Sequence, residues 1–512
     1  MVEELHLGTT AANDTFTTFV ESGAFGKMCY NSFVTAPFWQ TGPNGEVEPF
    51  LVADWTVSED STTITCDLAL DQGITWHDGE PLTMDDVLFT FDYNINVRKS
   101  SYGSYVDHAE QVDEDTIKVV LKEPGAYQWL KLVAGYFYVQ PKHIWENIDA
   151  PKDYRGEDAV IGCGPYRFVS LDEDAQTSYY EAVSDTYLGR EVTVKKVSLR
   201  SFDSNDALVM ALRNGEIDAM YDYSNPISPT MLPSISGVDG VDPGRGMNMG
   251  LFEILFGFQK QPTDDLEFRR AVRYALNYEL LATTIGGEDG QVPGEGIISP
   301  AGIGYDDSLP KLVQDQEQAK AILEAAGYVD TDGDGWRERP DGTPMDVLVT
   351  PQYNATKAAL YQRIAGIIVT NLGEVGVKCT LDEESIRNSD HEQQLRDDGA
   401  YEIYICYATQ GVSFYKTPFL YMFNDDLSMW GTCDLEDFDQ AYNDMLNAQG
   451  DEDYVAKVKE LQRIASEEVI GIALCWDTAY YPYRTDKYEG WTNFPGWGVI
   501  NCETWYNLHP IG

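Results

Sequence analysis

The sequence has no run of about 18 apolar residues, so no segment reads as a membrane-spanning helix. It has no C-x-x-C pair either. Eight cysteines (Cys29, Cys66, Cys163, Cys379, Cys406, Cys433, Cys475 and Cys502) stand far apart, which removes support for zinc ribbons and thioredoxin-type redox sites. Several, such as Cys66 and Cys406, fall in strand-like runs where a thiol acts as a small apolar residue, and one or two disulfides stay open without a readable pairing. Catalytic signatures are missing too. There is no G-x-S-x-G elbow and no Walker loop, and His391-Glu392-Gln393-Gln394-Leu395 lacks the second histidine of a zincin. Gly244-Arg245-Gly246 with Gly250 is wrongly spaced for a dinucleotide fingerprint, and His77, in a turn beside Asp78, reads as a structural hydrogen-bonding residue. The expectation is a protein that is not an enzyme. Basic residues are scarce: 35 Lys and Arg against 85 Asp and Glu give a net charge of −50, which repels phosphate backbones, so nucleic acid is not an expected partner. The start, Met1-Val2-Glu3-Glu4, has no signal-peptide character, and an exported form is expected to carry its targeting segment outside this sequence.

What is present suits a folded chain of several domains: 512 residues, 43% hydrophobic and 23% charged. The first half reads as short strands, such as 62–70 and 116–121, with Thr83 and Asp86 forming a capping box at a helix start. The second half carries longer helices over 265–281, 316–326, 357–372 and 454–469, with strands at 345–350 and 401–407 between them. This is an α/β pattern. Asp330-Thr331-Asp332-Gly333-Asp334-Gly335-Trp336 matches the first half of an EF-hand-type loop. Asp330, Asp332, Asp334, the Trp336 carbonyl, Glu338 and Asp341 are candidate calcium ligands, against a plain Gly/Asp-rich turn; no cofactor is otherwise required. The 11 Trp, 32 Tyr and 20 Phe suit a packed interior and a cleft that grips small molecules by stacking.

Six phrases, in order, resemble the family 5 extracellular solute-binding proteins of ABC importers, the group of oligopeptide-, dipeptide- and nickel-binding receptors. They are Glu-Pro-Phe-Leu-Val-Ala-Asp-Trp at 48–55, Gly-Ile-Thr-Trp-His-Asp-Gly-Glu-Pro-Leu-Thr-Met-Asp-Asp-Val at 73–87 and Gly-Cys-Gly-Pro-Tyr at 162–166. Gly-Glu-Ile-Asp at 215–218, Phe-Arg-Arg-Ala-Val-Arg-Tyr-Ala-Leu-Asn at 268–277 and Leu-Glu-Ala-Ala-Gly-Tyr at 323–328 complete the set. The resemblance implies a periplasmic-binding-protein-like α/β fold, two lobes with a hinge and three domains. Domain I would comprise 1–45, 169–260 and 488–512, domain II 46–168 and domain III 261–487. It also implies an extracytoplasmic monomer, periplasmic or a cell-surface lipoprotein, that closes on a small molecule and delivers it to a membrane permease.

In peptide-binding members an Asp in a phrase like Asp-Tyr-Pro-Asp-Pro, before Phe-Leu, pairs with the peptide's amino group. Here Tyr407 to Leu420 contains no carboxylate, and Val412 and Tyr415 stand where the acids would fall. A buried ammonium without a counter-charge costs several kcal/mol. Asp14, Glu21, Glu253 and Asp477 are the acids that could substitute, whereas Gln410, Ser413, Tyr415 and Lys416 suit a neutral, hydroxylated or anionic ligand. The resemblance thus leaves open a peptide, a non-peptide cargo such as an oligosaccharide or metal chelate, and a peptide sensor or adhesion protein. The expected ligand-contacting residues are Tyr407, Gln410, Phe414 and Tyr415 in domain III and Phe16, Tyr30 and Asn31 in domain I. Gln259 is expected at the hinge, and Tyr136 and Phe137 at the cleft rim.

Overall fold

The computed structural model describes the whole chain except residues 21–22, 30–31, 222–225, 356, 410–432, 434 and 495–496. The chain forms two compact units, one of residues 1–246 and 479–512, the other of 247–478. It therefore passes between them twice, within the strands Arg245–Phe256 and Gly471–Tyr480. These crossings lie earlier in the chain than the expected boundaries after 260 and 487.

The first unit holds a seven-stranded mixed sheet and a four-stranded antiparallel one. Leu5–Thr9 lies inside the larger sheet, parallel to both Lys196–Ser201 and Ala219–Met220. Gly215-Glu216-Ile217-Asp218 explains that placement. Gly215 ends the helix Asn205–Asn214 in the left-handed region (φ 74°), and Asp218, fully buried, accepts from the His6 backbone N–H (2.9 Å) and the Lys487 ammonium (2.7 Å). The four-stranded sheet contains Val52–Val57, Thr63–Leu68, Thr116–Leu121 and Val106–Gln111; its alternating residues Ile64, Cys66, Ile117 and Val119 are all buried. The expected strand at 116–121 is met residue for residue. The capping box forms as expected, with Thr83 N–H and hydroxyl both donating to Asp86, 2.9 and 2.8 Å. One core serves both sheets, since Leu7, Leu199, Ile64, Val119 and Trp505 belong to a single cluster of buried side chains.

The second unit is a five-stranded sheet ordered Cys379–Leu381, Val347–Pro351, Ile403–Thr409, Arg245–Phe256, Gly471–Tyr480. Its helices include Gln316–Ala325, Ala358–Glu374 and Asp451–Glu467, close to expectation, and Gly327 takes the left-handed position after the first (φ 88°). The helix expected over 265–281 is two helices, Leu266–Ala275 and Tyr278–Gly286. Asn277 divides them: its backbone N–H donates to Asn371 Oδ1 (2.9 Å), and its own Oδ1 accepts from Leu280 N–H (2.9 Å), so it starts a new helix instead of continuing the old one.

The arginines of this segment reach the end of a neighbouring helix. Arg269 is 2% exposed. Its guanidinium donates to the carbonyls of Glu468 (2.8 Å), Val469 (3.2 Å), Thr263 (3.0 Å) and Asp264 (2.9 Å) and lies 4.1 Å from the Phe258 ring centre. Arg270 donates to the Glu467 carbonyl and Arg273 to that of Ser466. Three cations thus gather on the carbonyls of residues 466–469, at the C-terminal end of Asp451–Glu467, where the helix dipole is negative.

No disulfide joins the cysteines among the described residues, and all but Cys379 are buried. Burial holds thiols such as Cys66, Cys163 and Cys406 well above their ordinary range.

Candidate functional site

The longest phrase of the sequence, 73–87, and the Gly-Cys-Gly phrase at 162–164 meet at His77. His77 N–H donates to the Gly162 carbonyl (2.9 Å), its ring Nε2–H to the Gly164 carbonyl (3.0 Å), and Gly162 N–H donates to ring Nδ1 (3.4 Å). These bonds fit only the neutral ring with its proton on Nε2. Burial pushes the imidazole down to about 4, and the Gly164 carbonyl opposes that only in part. The expectation that His77 is structural holds.

A pH dependence follows from this ring. In the unfolded chain the imidazole takes up a proton near pH 6.5, while in the fold it resists until about 4, so between these values the unfolded state binds more protons. Stability is therefore fully present above pH 6.5 and falls as pH drops towards 4, by at most about 3 kcal/mol from this group. His77→Gln is expected to be less stable at pH 7 yet lose less on acidification, measured as melting temperature between pH 7 and 4.5. Equal acid-induced losses in both proteins would exclude His77 as the source.

Of the expected ligand residues, Tyr30, Asn31, Gln410, Phe414 and Tyr415 lie outside the described residues. Phe16 is partly buried, 5.0 Å from Phe168 and 5.8 Å from Phe25 between ring centres. Tyr136 is partly exposed beside Tyr102 and Trp497, whose ring centre is 5.8 Å away. Phe137 is corrected: at 2% exposure it packs among Phe38, Phe91 and Trp129 in the core, because the chain turns inward one residue after Tyr136. Gln259 is exposed in the turn after Arg245–Phe256, well inside the second unit and away from the point where the chain crosses.

Tyr407 sits in a cluster of aromatic and polar side chains. Its strand pairs antiparallel with Arg245–Phe256, opposite Phe252, and the half-buried ring lies across Gly250, where a Cβ would overlap the phenol. Glycine at 250 leaves room for that ring. Phe252 packs 4.9 Å away, and Lys357 Nζ stands 4.6 Å from the Tyr407 ring centre. Gln352 ties the group together, its Oε1 accepting from Tyr407 N–H (3.0 Å) and from the Tyr361 hydroxyl (2.8 Å). Sequence reasoning missed Lys357 and Gln352. They come from the strand-to-helix connection of a neighbouring strand, and only the parallel pairing of Val347–Pro351 with Ile403–Thr409 brings them to Tyr407.

Among the acids offered as an ammonium partner, Glu253 is 1% exposed, with Cys406 Sγ donating to it at 3.9 Å, and burial pushes its carboxyl up to about 8. It is a neutral core group at pH 7. Asp14 is exposed and accepts from the Thr15 hydroxyl, 3.1 Å. Glu21 lies outside the described residues.

The aspartate loop gathers as its spacing suggested. Carboxylate oxygens of Asp330, Asp332, Asp334 and Glu338 lie within 4.8 Å of one another. Gly333 and Gly335 take positive φ (82° and 95°) so that their N–H groups turn to Asp330, at 2.7 and 2.9 Å. Glu338 is 8% exposed and accepts from the Thr331 N–H and hydroxyl. Asp341 is corrected: it accepts from Thr343 N–H and hydroxyl and is not among the four. Trp336 is exposed, and its N–H donates to Asp334 (2.8 Å).

A family model described as bacterial extracellular solute-binding proteins, family 5 Middle, matches residues 46–429. The dipeptide-binding protein of Escherichia coli K12 is 27% identical over 391 residues, which is 72% of this chain and 68% of that protein. The structure of HbpA2 from Haemophilus parasuis superposes with a TM-score of 0.83 at 18% identity, covering 100% of both chains. The oligopeptide ABC transporter binding protein of Thermotoga maritima with mannohexaose bound gives 0.66 at 21% identity, over 99% of this chain and 98% of that one.

Proposed function

The chain belongs to the bacterial extracellular solute-binding proteins, family 5, and we propose that it captures a small peptide and passes it to an ABC permease, gripping the peptide by its acidic end. The family match over 46–429 carries the receptor reading. Lys357 at 4.6 Å from the Tyr407 ring carries the choice of end. A cation there attracts a carboxylate and repels an ammonium, and the stretch from Tyr407 to Leu420 supplies no acid to reverse this. Binding then acts by population shift, the ligand favouring whichever arrangement gives it more contacts. For the aspartate loop we propose a structural Ca²⁺, since four carboxylates this close repel one another until a cation neutralises them.

One melting-temperature panel tests both proposals. Di- to pentapeptides with a free carboxyl end should raise the melting temperature by several degrees, N-acetylation should leave that rise intact, and C-terminal amidation or Lys357→Gln should remove most of it. If oligosaccharides or metal chelates raise it while every peptide fails, the peptide reading is lost. CaCl₂ should add a rise that EGTA reverses and Asp330→Asn abolishes; no response to either reagent removes the calcium proposal.

A further inference from the structure

We propose that the first unit carries a preformed site for a phosphate dianion, in a basic pocket between residues 97–102 and 150–153. The cavity measures 460 Å³, within the range of small-molecule sites, and its lining includes Arg98, Lys99, Ser100, Ser101, Lys152 and Asp153. The chain has fewer than half as many bases as acids, yet this lining sets three cations against one carboxylate. With 85 acidic residues available, none of the three cations is in an ion pair with a carboxylate among the described residues. Their charge is left for something from outside.

Both walls are fixed from behind. The helix that begins at Met84 widens over Tyr93–Val97, Arg98 N–H reaching back to the Tyr93 carbonyl (2.8 Å), a turn type that recurs at binding sites. The next residue, Lys99, is left-handed at φ 49°, a conformation that a residue with a Cβ holds at a cost and that swings its side chain out of helical register. The Arg98 guanidinium is held by Asn94 Oδ1 (2.9 Å) and lies 4.4 Å from the Phe19 ring centre, and both Asn94 and Phe19 are buried. On the other wall the Thr17 hydroxyl donates to the Pro151 carbonyl (3.1 Å), and Arg155 donates to that of Lys152 (2.8 Å), adding a fourth cation beside the turn. A pocket held in shape beforehand loses little entropy on binding.

An arginine fork, two lysines and two serine hydroxyls are the donor set that suits a tetrahedral oxyanion. Three cations less the Asp153 carboxylate leave a surplus that a dianion neutralises and a simple carboxylate does not.

Titration calorimetry on the full chain at low ionic strength tests this, with inorganic phosphate and glycerol phosphate as probes and sodium chloride at equal ionic strength as reference. Saturable one-site binding that weakens with added salt is expected for at least one of the two phosphates. A preference for glycerol phosphate identifies a phosphate ester as the occupant, and the reverse identifies free phosphate. Lys99→Glu with Lys152→Glu should lower affinity by about tenfold or more without changing the ligand-free melting temperature. Lys195→Glu with Lys378→Glu alters net charge equally at exposed positions that pair with Glu3 and Asp346, and should stay within about twofold of the parent. The proposal is overturned if neither phosphate saturates at millimolar concentration. It is equally overturned if the two charge variants weaken binding alike, since overall charge and not this pocket would then be responsible.

Discussion

Replacing Arg269 by alanine is expected to destabilise the second unit by about 4 kcal/mol, the order reached when buried carbonyls lose a charged donor together. Four carbonyls, those of Thr263, Asp264, Glu468 and Val469, share this one guanidinium, and the space it vacates is closed off by Phe258. Lysine does not rescue the site. Its ammonium is a single point with three donors and cannot span groups arranged around a planar fork, so Arg269→Lys should recover less than half of the loss. Arg270→Ala, whose side chain is more exposed and among the described residues reaches Glu467 and Glu267, should cost under about 1 kcal/mol. Denaturant unfolding followed by a probe in residues 247–478 measures all three. A lysine variant as stable as the parent would show that charge alone, not the fork, holds the helix end.

Gly162→Ala is expected to be similarly damaging, with a loss beyond about 3 kcal/mol or failure to accumulate as folded protein. A Cβ at 162 would overlap the Val34 carbonyl oxygen and sit 2.9 Å from its carbon. The obstacle is backbone, which cannot rotate aside as a side chain can. Residue 164 is hemmed in by the same passage, its N–H donating to that Val34 oxygen at 2.9 Å. Gly366→Ala is the contrasting case: it lies inside the helix Ala358–Glu374 with nothing within 4 Å of the added carbon. There alanine should stabilise by up to about 1 kcal/mol, because it restricts the unfolded chain and favours helix. Comparing the two melting temperatures checks both signs; a tolerated Gly162→Ala would mean that 162–164 and 33–35 are not in close contact.

These residues show what could be read from the sequence and what could not. Thr83 with Asp86 was legible because a capping box is local, three residues apart and self-contained. The strand 116–121 was legible because alternation needs only a sheet with one buried face. Asn277 was not, since its role as a helix start depends on Asn371, which the chain supplies far downstream. The role of Arg269 was not legible for a related reason: spacing shows which side of a helix a residue occupies, not that another helix ends there in need of donors. At the candidate site the same divide recurs. Tyr407 could be named from its strand, whereas Lys357 and Gln352 became visible only through parallel pairing of separate strands, and Phe137 differed from its neighbour Tyr136 by a turn of the backbone.

The divided composition of the first unit has a consequence for how the molecule is made. Its seven-stranded sheet takes Tyr483–Arg484 between Val241–Asp242 and Ala219–Met220, and its core takes Trp505, packed 4.5 Å from Phe33. Residues 1–246 therefore remain an unfinished sheet with an open edge while the next 232 residues, a uninterrupted and self-sufficient stretch, are synthesised. The later-made unit completes itself first. The earlier one closes only when Tyr483–Arg484 and Trp505 have been added, so the most aggregation-prone species is a chain halted between the end of the second unit and Tyr483.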